Sequence, residues 1–356
     1  MGGRASLAPG WGGAIDGRMF KRLREGWSGL AWAITGTRAV VLDNQRSLKV
    51  LATEVERLRR ETRLLVGQLS LPPAQTWQDK SSWIDGAPAA GAFPNSTVCR
   101  QESFEKAHFA YWSRRLGLPP SYHRKAWEYV FICQALWERG VVRPGARGLG
   151  FGVGHEPLSA FFASEGCDIL ATDVASEDAT RLGWSDRDQH AASLATIRYD
   201  HLCPPETFDR RVSFRVCDMN AIPADLGEFD FCWSACAFEH LGSIENGLQF
   251  VERAMACVKP GGWAVHTTEF NLSSDDATLD NVGTVLFRRR DMEALAERLE
   301  ARGHSVTPFD FDPGLAPLDR YIDVPPYRAE PHLKLAIEGF ATTSIGLIVQ
   351  RAHEPS

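Results

Sequence analysis

No apolar run in the 356 residues approaches the roughly 20 needed to span a bilayer, which argues against a transmembrane helix. None of the eight cysteines stands in a Cys-x-x-Cys pair, so the usual zinc and redox spacings are missing. Most of them, Cys133, Cys232 and Cys236 included, sit in apolar stretches and read as buried free thiols of a reducing compartment. Residues 1–13 are glycine-rich and lack the apolar core of a signal peptide, so a cytoplasmic chain is expected. A basic groove with interleaved aromatics is also missing, and nucleic acid is not an expected partner. What is present, 44% hydrophobic and 24% charged residues, is the composition of a soluble globular chain with a sizeable core.

The net charge of −6 conceals a division. Residues 1–72 carry 12 basic and 6 acidic side chains, and the remainder is correspondingly acidic. A basic head joined to an acidic body suggests separate tasks. Within the head, Met19, Phe20, Leu23, Trp27, Leu30, Ala31 and Ile34 recur at helical spacing among Arg18, Lys21, Arg22 and Arg24. Such a basic amphipathic segment (residues 1–40) suits peripheral contact with an anionic membrane, at the inner face of the plasma membrane, or packing on another protein surface. Residues 41–71 carry a heptad stripe, Val41, Asn44, Leu48, Leu51, Val55, Leu58, Thr62, Leu65 and Leu69, with charges between. A helix of this pattern cannot hide its stripe alone, and a homo-oligomeric coiled coil, dimer or trimer, is expected. Pro72 and Pro73 end it, and residues 72–102, rich in Pro, Ala, Gly and Ser, read as a linker.

From residue 103 to 353 short apolar runs alternate with helical patterns. Strands are expected up to Gly150, at 167–172, 212–216, 229–234, 263–268 and 343–350, with helices at 103–116, 121–140, 156–164, 186–198, 244–258 and 291–302. Apolar runs without polar alternation suit strands buried on both faces of a parallel sheet. This is a doubly wound α/β fold, whose ligand should lie at the carboxyl ends of the strands.

The first of these strands runs into Gly150-Phe151-Gly152-Val153-Gly154, where glycines allow a tight turn and close approach of a ligand to the backbone. The next ends in Asp173-Val174, at the distance from Gly152 where a carboxylate can accept both ribose hydroxyls. The third ends in Asp218-Met219, an acid and an apolar side chain able to clamp an adenine. A dinucleotide fingerprint, G-x-G-x-x-G, fits in neither register, because its last position falls on His155 or Pro157. Glu156 is also an awkward neighbour for a pyrophosphate at a helix start. A cofactor without phosphates fits better.

Taken with Phe229–Ser234, Glu239-His240-Leu241, Glu252-Arg253-Ala254 and the turn Val258-Lys259-Pro260-Gly261-Gly262-Trp263, these motifs resemble, in order and spacing, the class I S-adenosylmethionine-dependent methyltransferases. The likeness covers residues 120–350. It implies a seven-stranded, mostly parallel sheet with an antiparallel last strand. It also implies S-adenosylmethionine as cofactor, with Gly150, Phe151, Gly152 and Gly154 at its methionine part, Asp173 and Val174 at the ribose, Asp218 and Met219 at the adenine, and Ser234 and Ala235 near the sulfonium. The stretch 174–211 is longer than many relatives have.

Methyl transfer to oxygen is helped by a base. His240 is the first candidate, with Glu239 beside it. A metal site from His240, Glu269 and Asp275 is conceivable, but no spacing demands it and none is expected. His266, Glu269, Arg320, Tyr321 and Tyr327 are the candidate acceptor-binding residues, although His266 lies inside a strand, where a core role competes. The insert 309–342, with Asp323 and His332, is the candidate lid. The expected activity is O-methylation of a sugar or glycan of the bacterial surface-polysaccharide kind. The alternatives are a lipid-linked or natural-product acceptor, a non-catalytic coiled-coil scaffold, and a nicotinamide-dependent oxidoreductase, which the failed fingerprint opposes.

Overall fold

The computed structural model describes residues 43–65, 90–119, 121–175, 191, 193–281 and 283–353. The amphipathic segment 18–34 and most of the expected linker lie outside the described residues. The chain divides into two compact units, Met1–Leu58 and Arg59–Ser356. Residues 43–65 form a helix, α1, along which Leu48, Leu51, Val55, Leu58 and Leu65 are between 41% and 64% exposed. Among the described residues no helix is long and apolar enough to cross a membrane.

In the larger unit, β2 (Arg147–Phe151), β3 (Asp168–Asp173), β4 (Val212–Val216), β5 (Phe229–Ala235) and β6 (Val258–Asn271) run parallel in the order β4-β3-β2-β5-β6. The chain order reverses direction at β2, and such a switch point is where a doubly wound sheet opens a crevice. The last strand, β11 (Phe340–Gln350), lies antiparallel beside β6, in register from Thr342 opposite Asn271 to Gln350 opposite Trp263.

The resemblance implies seven strands, and among the described residues the sheet has eleven. β1 (Ser96–Val98) pairs antiparallel with β11 and parallel with β8 (Phe309–Asp310), and β7 (Ser305–Val306) pairs with the end of β11. β9 (Ile322–Asp323) and β10 (Lys334–Ile337) extend the sheet at the start of β11. The linker reading of 72–102 is therefore corrected at its end, and the insert 309–342 contributes strands rather than loop alone. Segments of two to four residues are too short to show a period of two; β1, β7 and β10 pair with β11 itself, β8 with β1 and β9 with β10.

Helices α3 (Ala107–Arg115), α4 (Arg124–Glu138), α5 (Leu158–Ser164) and α6 (Pro205–Arg211) share one core with Phe231, Trp233, Val265 and Ile348. Helices α7 (Ile244–Ala254) and α8 (Arg289–Glu300) share the other with Phe151, Cys232, Leu347 and Val349. Neighbouring strand residues thus face opposite cores, as the pleat requires. The helix expected at 103–116 is split into α2 (Gln101–Phe104) and α3. Of that expected at 186–198, the described part is a short 3₁₀ turn, Leu194–Ile197. α6 was not foreseen. All eight cysteines are buried and free.

A candidate active site at the carboxyl ends of the strands

The turn after β2 is shaped by two glycines in the left-handed region, Gly152 at φ +57° and Gly154 at φ +48°. A Cβ on Gly152 would stand 2.9 Å from the Ala237 methyl and 3.2 Å from the Met219 sulfur. The turns after β2, β4 and β5 therefore converge on one bare stretch of backbone. Asp173, at the tip of β3, is 5% exposed and works inside this cradle. Its Oδ2 accepts from the amides of Gly154 at 3.0 Å and Ala191 at 2.9 Å, and its Oδ1 from Val174 at 2.8 Å.

Other residues assigned to the cofactor are placed differently. Gly150 has no room for a Cβ because the Trp233 ring and the Val153 side chain lie 2.6 Å from where it would be, so its role is packing. Phe151 is fully buried and meets Phe250 edge-on. The Ser234 hydroxyl is spent on His266 Nδ1 at 2.8 Å, and both side chains are fully buried. His266 has Phe238 and Phe250 as ring neighbours, and burial lowers its pKa to about 3. It is a neutral, buried core residue, and the Ser234 hydroxyl is engaged with it. Ala235 is 9% exposed at the end of β5, and Ala237, passed over in the sequence, is the residue that meets Gly152. Asp218 is exposed, and its Oδ1 accepts from Asn220 N within its own turn, while Met219 is buried.

Behind the cradle lies Glu156, 4% exposed, whose Oε1 accepts from Trp233 Nε1 at 2.5 Å. Burial pushes its carboxyl up to about 8, opposed by the Trp233 hydrogen bond and by the charge of Lys125. A buried acid at this place is unsuited to receiving a pyrophosphate.

Toward β6 and β11 the site becomes a buried charge network, organised by the first turn of α4. The sequence reading noted only the apolar stripe of that helix and missed Arg124, Lys125 and Glu128. Arg124 reaches Glu128 and the Ser344 hydroxyl at 3.0 Å, and ion-pairs with Glu269. Lys125 holds the other oxygen of Glu128 at 3.0 Å. Glu269 also accepts from Thr342 Oγ1, and Glu239 from Thr268 Oγ1, each at 3.0 Å. Burial and the carboxylates of Glu239 and Glu128 raise Glu269, against the pull of Arg124. Cys236, at φ +48°, directs its sulfur to 3.6 Å from the Arg124 guanidinium. The donor atoms of Cys236, Glu239 and Glu269 lie within 4.8 Å of one another, and Arg124 supplies the cation among them.

His240 is placed at the rim. Its Nδ1 bonds to the Gly283 carbonyl at 3.0 Å, and its Nε2 is 4.0 Å from Glu239. In the insert, Arg320 is exposed, Tyr321 is buried under the guanidinium of Arg328 at 5.8 Å, and the Tyr327 hydroxyl donates to Ala336 O.

Residues 149–266 match a protein family described as "Methyltransferase domain". No curated protein sequence matches the chain. Among solved structures, the chain is similar to an O-methyltransferase family protein from Burkholderia thailandensis, at 14% identity and TM-score 0.34, covering 74% of this chain and 66% of that one. It is similar to Haemonchus contortus phosphoethanolamine N-methyltransferase 2 in complex with S-adenosyl-L-methionine, at 13% identity and TM-score 0.39, covering 71% and 59%. It is also similar to magnesium protoporphyrin IX methyltransferase from Synechocystis PCC 6803 with bound SAH, at 12% identity and TM-score 0.38, covering 71% and 98%.

Proposed function

We propose, for a chain that carries a class I, Rossmann-like methyltransferase domain using S-adenosylmethionine, that the group methylated is a hydroxyl oxygen of a sugar or glycan. The bare backbone that Gly152 leaves beside Met219 and Ala237 supports close approach of the cofactor at this turn. Gly152 and Gly154 would face the methionine part, Asp173 the ribose and Met219 the adenine. When bound, S-adenosylmethionine supplies an electrophilic methyl group on a sulfonium.

The acceptor reading rests on one observation. Glu128, Glu239 and Glu269 are buried around Arg124 and Lys125, and Asp323 is buried beside His332. Carboxylates accept hydrogen bonds and donate none when ionised, so they suit a ligand rich in hydroxyls. Their excess of negative charge disfavours acceptors that carry a phosphate or carboxylate, including lipid-linked pyrophosphates. Calorimetric titration with S-adenosylmethionine and with NAD tests the cofactor. Transfer of a labelled methyl group into an extract of cellular glycans, with identification of the product, tests the acceptor. Saturable NAD binding without S-adenosylmethionine binding sinks the first claim, and label confined to phosphorylated or amine-bearing products sinks the second.

We further propose that α1 joins copies of the chain through its exposed leucine and valine stripe, as the heptad pattern supports. The basic segment 18–34 supports peripheral attachment of that assembly to an anionic membrane face.

A further inference from the structure

We infer that His332, held by Asp323, is the group that takes the proton from the acceptor hydroxyl. This rests on the methyltransferase reading above and goes beyond it, because the base expected from sequence was His240.

His332 Nδ1 lies 2.7 Å from Asp323 Oδ2, and that carboxylate also accepts the amide of Arg328 at 3.0 Å. Asp323 is 1% exposed and His332 7%. A carboxylate accepts only, so the proton of the neutral imidazole sits on Nδ1 and the lone pair on Nε2. Among the described residues no group hydrogen-bonds Nε2. The ring is fixed by His123, stacked at 4.8 Å and 27°, and by Tyr327, edge-on at 5.3 Å.

The backbone places this dyad on the acceptor side. The amide of His332 donates to Tyr122 O and its carbonyl accepts from Arg124 N, so it is clamped to the first turn of α4. Arg124, the next contact along, spans to Glu269 at the end of β6 and to Cys236 just past β5. The groups facing the imidazole are Asp323, Tyr327, His123, Arg124 and Glu128. Burial, and Arg124 with it, favours the uncharged imidazole over the opposing pull of Asp323 and Glu128. His123 is lowered to about 4 and stays neutral, so no second cation stacks on the ring once it is protonated.

In the step assigned to the dyad, the acceptor O–H bond breaks and its proton moves to Nε2. The electron pair stays on oxygen to form the new O–C bond, while the S–C pair leaves with sulfur as a neutral thioether. The imidazolium is balanced by Asp323. His240 bonds the Gly283 carbonyl from a partly exposed turn, with its Nε2 4.0 Å from Glu239.

The test uses the full chain, labelled S-adenosylmethionine and a panel of p-nitrophenyl glycosides, together with side-chain ¹⁵N NMR of the histidines. His332→Asn keeps a donor for Asp323 in the place of Nδ1 but removes the base. It is expected to lower turnover at least about 100-fold, as loss of a positioned base does, with cofactor affinity and melting temperature little changed. Asp323→Asn should lower turnover at least about 10-fold and move the Nδ1–H resonance of His332. The wild-type rate should rise through an apparent pKa below the ordinary imidazole value and then level off. A His332→Asn variant with more than about a fifth of wild-type turnover, or a wild-type spectrum with the proton on Nε2, overturns the assignment. Failure of the wild-type chain to bind S-adenosylmethionine overturns the methyltransferase reading and the dyad with it. If the cofactor binds and no glycoside is methylated, the sugar reading fails, and the NMR spectrum still decides the dyad.

Discussion

The amide of Gly154 donates to the carboxylate of Asp173 across 3.0 Å, so the glycine turn and the acid assigned to the ribose form one unit. Asp173→Ala removes the acceptor for ribose hydroxyls and also strips three backbone amides of their partner. Charge-assisted hydrogen bonds are worth about 1.5–3 kcal/mol each. Calorimetry should show affinity for S-adenosylmethionine falling at least about 100-fold, and an unchanged Kd would disprove this placement.

Gly152→Ala tests the cradle from the other side. The left-handed backbone costs an alanine about 1–2 kcal/mol, and its methyl group would press on Ala237 and Met219. Cofactor affinity should drop about 10-fold or more with the fold retained by circular dichroism. Full affinity would show that this turn is not the binding surface.

Glu156 makes stability depend on pH. Its ordinary value is 4.5 and its folded value about 8, so between these the native chain holds a proton that the unfolded chain has released. The stabilisation is complete below 4.5 and is lost as pH rises through 8. Glu156→Gln keeps an acceptor for Trp233 without this titration. Its melting temperature relative to wild type should climb by several degrees from pH 5 to pH 8.5, and parallel curves would contradict the assignment.

Arg124 neutralises Glu128 and Glu269 together. Arg124→Met leaves buried carboxylates uncompensated, a change that typically costs about 3–5 kcal/mol. Denaturant titration should show a marked fall in midpoint, partly recovered in the triple variant that also carries Glu128→Gln and Glu269→Gln. No recovery would mean that the loss came from packing.

For α1, Leu51→Glu with Leu58→Glu places charge on the exposed stripe. Light scattering should report a single chain for the variant and a dimer or trimer for wild type. A monomeric wild type would end the coiled-coil proposal.

The convergence of the turns proposed to hold the cofactor was largely legible because strand ends and their turns are local: Gly152, Gly154, Asp173 and Met219 stand where the chain order puts them. Ser234 and His266 are buried against each other for a reason the pleat explains. Ser234 shares a strand face with Cys232, which packs toward α7, and His266 is its direct partner across the β5–β6 pair. The acceptor end was mostly hidden. Arg124 meets Glu269 and Ser344 only because α4 packs over strands distant in sequence. Its signal was a pair of adjacent cations and a glutamate at the start of a mostly apolar helix. Asp323 and His332 were singled out in the insert, but nothing in the spacing joined them as a pair.

The pairing of Ser96–Val98 with β11 bears on how this catalytic module can be transplanted. Thr97 and Val98 lie opposite Gly346 and Ile345, and the Ser96 hydroxyl accepts from the Ile348 amide. Ahead of the strand, the amides of Ala92 and Phe93 donate to Glu138. A graft or fusion cut where the family likeness starts would bare one edge of the last strand, inviting the intermolecular pairing that open edges promote. The transplantable unit therefore reaches back at least to residue 92, ahead of the segment that carries the recognisable motifs.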